Sequence, residues 1–266
     1  CGVGEPLPPA LVRRMLLLKA NNLAAGFSGV RPLVVDTLLA LLNADVLPVI
    51  PAQGSVGASG DLAPLAHLTL ALIGEGEATA PQDPAGAAGA RRALANADVL
   101  RAAAVEPLEL QAKEGLALLN GTQLSLALAL DGLFRAETLL DASVVCCAMT
   151  VEGLAGSHSP FDERIQQASR LPGQIEAARR IRALLASDSE IHRSHENCER
   201  VQDPYAVRCM PQVFGAVEHT LRHARDVLGA AINGVSDNPL IFGEDVLSGG
   251  NFHAEPVGFI SDFLAI

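Results

Sequence analysis

Aromatic residues are scarce in this chain. There is no tryptophan, one tyrosine, and Phe, Trp and Tyr together make up 3 % of its 266 residues. The 49 % of hydrophobic residues is therefore mostly Ala, Leu and Val, which suits closely packed helices. Charge is scarce as well: 18 % of residues against roughly 25 % in ordinary soluble proteins. Too few charges to cover a surface imply that part of it is buried against other subunits, so an oligomer is expected. The net charge of −11 comes without a basic block, which excludes a phosphate-neutralising nucleic-acid surface. Long apolar runs are missing too. The longest uncharged stretches, 115–130 and 62–74, fall short of the roughly 20 residues that span a bilayer, and the first contains Asn120, Thr122 and Gln123. No membrane segment is expected. The five cysteines have no Cys-x-x-Cys spacing, and Cys146 and Cys147 sit in an apolar run. They read as buried free thiols in a reducing, cytoplasmic setting.

The organisation is mainly α, expected as a bundle of long helices. Apolar spacing predicts helices over 8–25, 32–43 and 62–74, the last capped by Asp61, then 107–119, 122–155, 173–187 and 211–232. Pro48 and Pro51 force an extended segment between the second and third. Residues 78–93 read as a surface loop, 156–172 and 188–210 as polar connectors, and 239–247 as a short hairpin. The ends, Cys1 and an apolar helical pattern running to Ile266 without a stop signal, suggest a piece of a longer chain.

Within Gly54 to Asp61 stands Ala58-Ser59-Gly60. Protein side chains are nearly all nucleophiles, acids or bases, but a backbone can make an electrophile. If the Gly60 nitrogen attacks the Ala58 carbonyl and two waters leave, Ser59 becomes a methylidene group on a five-membered imidazolone. Gly60 has no Cβ to block that approach, and Gly57 and Gly60 permit the compressed turn. The same octapeptide also suits a flexible loop or an anion nest at a helix start.

Other segments could complete a pocket. Asn120, before Gly121, reads as a helix-end residue or as a buried amide aimed at a ligand. Gln202, Tyr205 and Arg208 fall in a long connector; a helical turn after Pro204 puts Tyr205 and Arg208 on one face. There Arg208 could hold a carboxylate by its fork, and Tyr205 could move a proton. Arg208 as a cap on helix-end carbonyls is the alternative. Phe252 stands in a Gly-rich loop where an exposed aromatic is out of place. The pairs His192/His195 and His219/His223 have helical spacing without a third ligand, so no metal is expected.

These segments, GSVGASGDLAPLAH (54–67), LLNGTQ (118–123), RVQDPYAVRCMPQ (200–212), VSDNPL (235–240) and SGGNFHAEP (248–256), occur in an order that resembles the aromatic amino-acid ammonia-lyases, the histidine-specific members most closely. The likeness runs over essentially the whole chain. It implies the long-helix fold of the ammonia-lyase and fumarase type. It also implies that Ala58, Ser59 and Gly60 cyclise to 4-methylidene-imidazol-5-one (MIO), with no metal. Asn120 would orient or polarise the ring, Tyr205 would be catalytic, and Gln202, Arg208 and Phe252 would contact the substrate. Phe252-His253-Ala254-Glu255 looks like the histidine-specific pattern. The implied reaction is elimination of ammonia from L-histidine to give trans-urocanate, in a cytoplasmic homotetramer with shared active sites. Phenylalanine- or tyrosine-acting lyases and aminomutases are the alternative, as is an inert helical piece that only oligomerises.

The resemblance divides one incomplete lyase domain (1–266) into a ring-bearing segment (1–77), a surface loop with a short helix (78–104) and a helical core with active-site loops (105–266). Family members begin earlier, with a catalytic Tyr and a substrate-contacting His. They continue later, to a Glu that meets the histidine ring. The chain as written is therefore expected not to complete the reaction alone.

Overall fold

The computed structural model describes residues 2–81, 91–185, 188–195 and 198–266. The fold is mainly α. In chain order the elements are β1 (Val3–Pro6), α1 (Pro9–Ala24), α2 (Pro32–Asn43), β2 (Leu47–Pro48), β3 (Pro51–Gln53), α3 (Leu62–Leu72), β4 (Glu77–Pro81), β5 (Arg91–Ala95), α4 (Asn96–Ala102), α5 (Glu114–Leu119) and α6 (Gln123–Gly153). There follow α7 (Glu163–Ser169), α8 (Pro172–Leu184), α9 (Glu190–Ser194), α10 (Tyr205–Arg208), α11 (Met210–Asn233), β6 (Leu240–Phe242), β7 (Asp245–Leu247) and α12 (Glu255–Ala265). Single 3₁₀ turns occur at Gly57–Ser59 and Ser159–Phe161. The chain divides into two compact units, 1–131 with 227–262, and 132–226 with 263–266.

In the first unit α1 and α2 both start at proline, where the missing N–H costs nothing. They bury Leu11, Met15, Leu16 and Leu23 with Leu38 and Leu41. Arg31 grips the buried Glu114 by its fork, Nε to Oε1 and Nη2 to Oε2, both 2.8 Å, which ties the start of α2 to the start of α5. β1 pairs antiparallel with β3, and β4 runs between β2 and β5. The Ala78 side chain beneath that sheet is fully buried.

In the second unit Val144, Cys147, Val151, Phe161, Ile181, Leu185 and Val207 form the core, with Met210 and Phe214 against it. Gly173 on α8 and Gly215 on α11 meet so closely that a Cβ on Gly215 would lie 2.5 Å from the Gln174 nitrogen.

Three expectations need correction. The surface loop at 78–93 is strand at both ends, because the backbone pairs from Glu77↔Ala95 to Pro81↔Arg91; residues 82–90 lie outside the described residues. The helix expected over 107–119 begins only at Glu114. Pro107 precedes an extended run whose Leu108 N–H bonds the Leu72 carbonyl, and Lys113 turns at φ 74°. Cys146 is exposed, while Cys147 is buried with its thiol pushed up to about 11 by burial. The stretch 114–153 does include a window long and apolar enough to cross a membrane. However, 67 % of that window is buried inside the fold, where the core uses its apolarity.

Candidate active site

The Ala-Ser-Gly tripeptide closes a single 3₁₀ turn. The Ser59 N–H donates to the Val56 carbonyl at 2.7 Å, and the Gly60 N–H reaches Gly57 only at 3.3 Å. Ala58 and Ser59 are exposed while Gly60 is buried. Gly60 adopts φ 81°, ψ −171°, a region that only glycine occupies readily. A Cβ there would stand 2.6 Å from the Gly121 carbonyl oxygen and 3.2 Å from that of Phe252. The turn is thus pressed between the α5–α6 junction and the loop before α12. The Ala254 N–H anchors that loop to the Gly57 carbonyl at 3.0 Å.

Asp61 follows as the terminal residue of α3, but its side chain does not cap that helix. The fully buried carboxylate instead accepts from the Ser55 hydroxyl (2.5 Å), the Ser125 hydroxyl (2.8 Å) and the Ser125 N–H (2.9 Å). It serves the start of α6, 64 residues away, where helix N–H groups lack partners. Its own N–H donates to Gly121 at 2.8 Å. Asp61 stands at the helix start as expected, but its partner is Ser125 rather than its own helix, because tertiary packing sets the partner.

Asn120 ends α5 in an extended conformation and is buried, and its amide Oδ1 has no hydrogen-bond partner among the described residues. Behind it the Lys19 Nζ donates to the Asn120 carbonyl at 2.6 Å. Nothing in the sequence pointed to Lys19 beyond its being a cation on a largely apolar helical face. A cavity of about 480 Å³ beside the turn is lined by Gly57, Ala58, Ser125, His253, Glu255 and Ser261. The His253 Nδ1 accepts the Glu255 N–H and so caps α12.

The second group lies in the other unit. Arg208 donates to the Gln202 side chain at 2.5 Å, and its guanidinium carbon stands 5.9 Å from the Tyr205 ring centre. The one-turn α10, entered through Pro204, holds Tyr205 and Arg208 at the expected i, i+3 spacing, and Gln202 meets Arg208 from the segment before it. A polar cavity of about 310 Å³ is lined by Gln202 and Arg208 with Ser159, Cys198 and Arg200. The histidine pairs have other employment: His219 accepts the Gly173 N–H at 3.0 Å, and His192 stacks on His158.

Fold and turn together define a mainly α protein whose candidate site is built around a cyclisable main-chain turn. The chain belongs to the aromatic amino acid lyase family, whose family model matches residues 1–266. It is 54 % identical over 267 residues to histidine ammonia-lyase of Idiomarina loihiensis, an alignment covering 100 % of this chain and 50 % of that protein. It resembles the crystal structure of histidine ammonia-lyase from Trypanosoma cruzi with a TM-score of 0.87 at 38 % identity, covering 100 % of this chain and 48 % of the other. Tyrosine aminomutase from Streptomyces globisporus superposes with a TM-score of 0.85 at 36 % identity, over 99 % of this chain and 52 % of that one. The chain spans about half the length of the curated relatives it matches.

Proposed function

We propose that this chain carries the electrophile-forming part of an ammonia-lyase that eliminates ammonia from L-histidine to give trans-urocanate. The observation that carries the reading is the Gly60 pinch: a turn of three small residues held with Gly60 in a glycine-only conformation against two carbonyls. The residues fit an MIO ring. The 3.3 Å donation leaves the Gly60 nitrogen weakly held, and the open Oδ1 of Asn120 stands next in the chain to the Gly121 carbonyl that contacts Gly60. In the cyclisation the Gly60 nitrogen bonds to the Ala58 carbonyl carbon. That oxygen leaves as water with the hydrogens of the Gly60 and Ser59 amides. The Ser59 hydroxyl leaves as a second water with the Ser59 α-hydrogen. When formed, the ring supplies an electron-poor carbon that turns the substrate's amino group into a better leaving group.

The remaining roles belong to side chains. Asn120 holds and orients the ring. Arg208, whose fork Gln202 steadies, takes the substrate carboxylate. Tyr205 moves a proton, and Phe252 lines the pocket. Identity of 54 % to a curated histidine ammonia-lyase favours histidine over the aromatic substrates. The aminomutase likeness at 36 % identity keeps tyrosine as the second reading. We further propose a homotetramer with sites completed by other copies. Exposed Leu139, Ala142, Cys146 and Met149 line one face of α6 at alternating steps of three and four, as in a helix seam. The four described cysteines are free thiols, in keeping with the cytoplasm.

Intact mass tests the chemistry. The protein should weigh less than its sequence by two waters and show the ring's ultraviolet absorbance; Ser59→Ala should lose both, and the same change in the full-length lyase should abolish urocanate formation. An unmodified mass, or activity retained in Ser59→Ala, would end the proposal. Urocanate against coumarate formation then decides the substrate.

A further inference from the structure

Lys19 is among the largest fully buried side chains of the described residues, at 0 % exposure on α1 among Met15, Leu16 and Leu23. Taking an ammonium out of water is costly, and a methionine of similar length would remove that cost. The charges around it are Asp237, Lys113 and Asp61, and Asp237 is already gripped by Lys113 at 2.5 Å. The hydrogen bond that Lys19 makes goes instead to the Asn120 carbonyl, 2.6 Å away.

That carbonyl belongs to the peptide unit joining Asn120 to Gly121. Fixing its oxygen fixes the orientation of this unit, and Gly121, at φ 140°, has none of the restraint a side chain would impose. Two things hang from the unit: the Asn120 amide with its open Oδ1, and the Gly121 carbonyl. The latter receives the Asp61 N–H at 2.8 Å and presses on Gly60. We propose that Lys19 is a positioning residue, holding the Asn120–Gly121 peptide so that the Gly121 carbonyl compresses the Ala58-Ser59-Gly60 turn for cyclisation and the Asn120 amide faces the ring. The inference rests on the ring-forming reading above and names a residue that reading does not use. The plain alternative is a lysine that merely satisfies a helix-end carbonyl.

The two are separated by following ring formation, through intact mass and ring absorbance, during refolding of wild type, Lys19→Met and Met15→Ala. Met15 is equally buried on the same helix, so its truncation disturbs the α1 packing directly. Lys19→Met should slow the loss of two waters by roughly tenfold to a hundredfold, the range in which partners of reacting groups act. Lys19→Arg, which keeps a donor, should recover most of the rate. Met15→Ala should cyclise at the wild-type rate even where its urea midpoint falls as far. Lys19→Met cyclising like wild type overturns the inference, as does Met15→Ala slowing in step with its lost stability. Should Lys19→Met not fold, Lys19→Gln, which shortens the reach, takes its place with the same two outcomes. Wild type that never loses two waters sinks the ring-forming reading and this inference with it. Normal cyclisation in wild type and Lys19→Met alike sinks Lys19 alone.

Discussion

Replacing Gly60 by alanine probes the compressed turn most directly. Two costs add. The conformation at φ 81°, ψ −171° is reserved almost wholly for glycine, and a side chain there costs about 1–3 kcal/mol. The new Cβ would also sit 2.6 Å from the Gly121 oxygen, a backbone atom that cannot rotate away, and overpacking of this kind costs about 1–3 kcal/mol. Pushing Gly121 back would in turn strain its 2.8 Å bond from the Asp61 N–H. The expected total is roughly 2–6 kcal/mol, a large share of the 5–15 kcal/mol that holds a typical domain together. Urea unfolding measures it as a lowered midpoint with unchanged slope. Gly229→Ala serves as the control. That glycine lies within α11 with open space around its Cβ position, so alanine there should stabilise by about 0.5–1 kcal/mol. Gly60→Ala should also keep its full mass, because a displaced Gly121 no longer compresses the turn. A midpoint within about 0.5 kcal/mol of wild type, or a variant that still loses two waters, would refute it.

Other outcomes follow from the buried charges and thiols. Glu114 is held down to about 2 chiefly by the Arg31 fork, so its stabilisation is complete above the ordinary carboxylate value near 4.5 and disappears as pH falls through about 2. Glu114→Gln should lower stability at neutral pH by roughly 1.5–3 kcal/mol and flatten the acid limb of the unfolding curve. Lys19 behaves with the opposite charge. Burial lowers it from 10.5 to about 7, so the unfolded chain binds the extra proton between those values and stability rises with pH across that window. Lys19→Met should remove up to about 1.4 kcal/mol per pH unit of that slope, read by urea titrations at pH 7 to 10; an unchanged slope would mean Lys19 is not desolvated in the fold. With a thiol reagent, exposed Cys198 should label in the folded state and buried Cys147 only after unfolding, so equal rates would contradict the α6 packing.

Much of the helical framework was legible because its signals are local. Proline starts α1, α2 and α8, and apolar spacing marks α3, α6 and α11 closely. The hairpin at 240–247 was readable from its polar, Gly-rich flanks. The errors fell where the partner was remote. The β4–β5 pairing looked like a loop, since Ala and Pro carry little strand signal and only the ladder with β2 organises them. The stretch before α5 has helical spacing, yet Pro107 and the Leu108 bond to Leu72 pull it straight.

For the candidate site, the sequence by itself determined the chemistry that is possible. Three small residues in a row can cyclise, one tyrosine and one arginine three residues apart can share a helical turn, and an Asn-Gly step can end a helix. Only the tertiary structure decided how these act. It set Gly60 against carbonyls 61 and 192 residues further along the chain, turned Asp61 away from its own helix toward Ser125, and put Lys19 behind Asn120. Spacing along a chain fixes which neighbours share a turn, because 3.6 residues complete it. Which carbonyl meets which amide across a hundred residues depends on how apolar faces close, and that is a property of the packed whole.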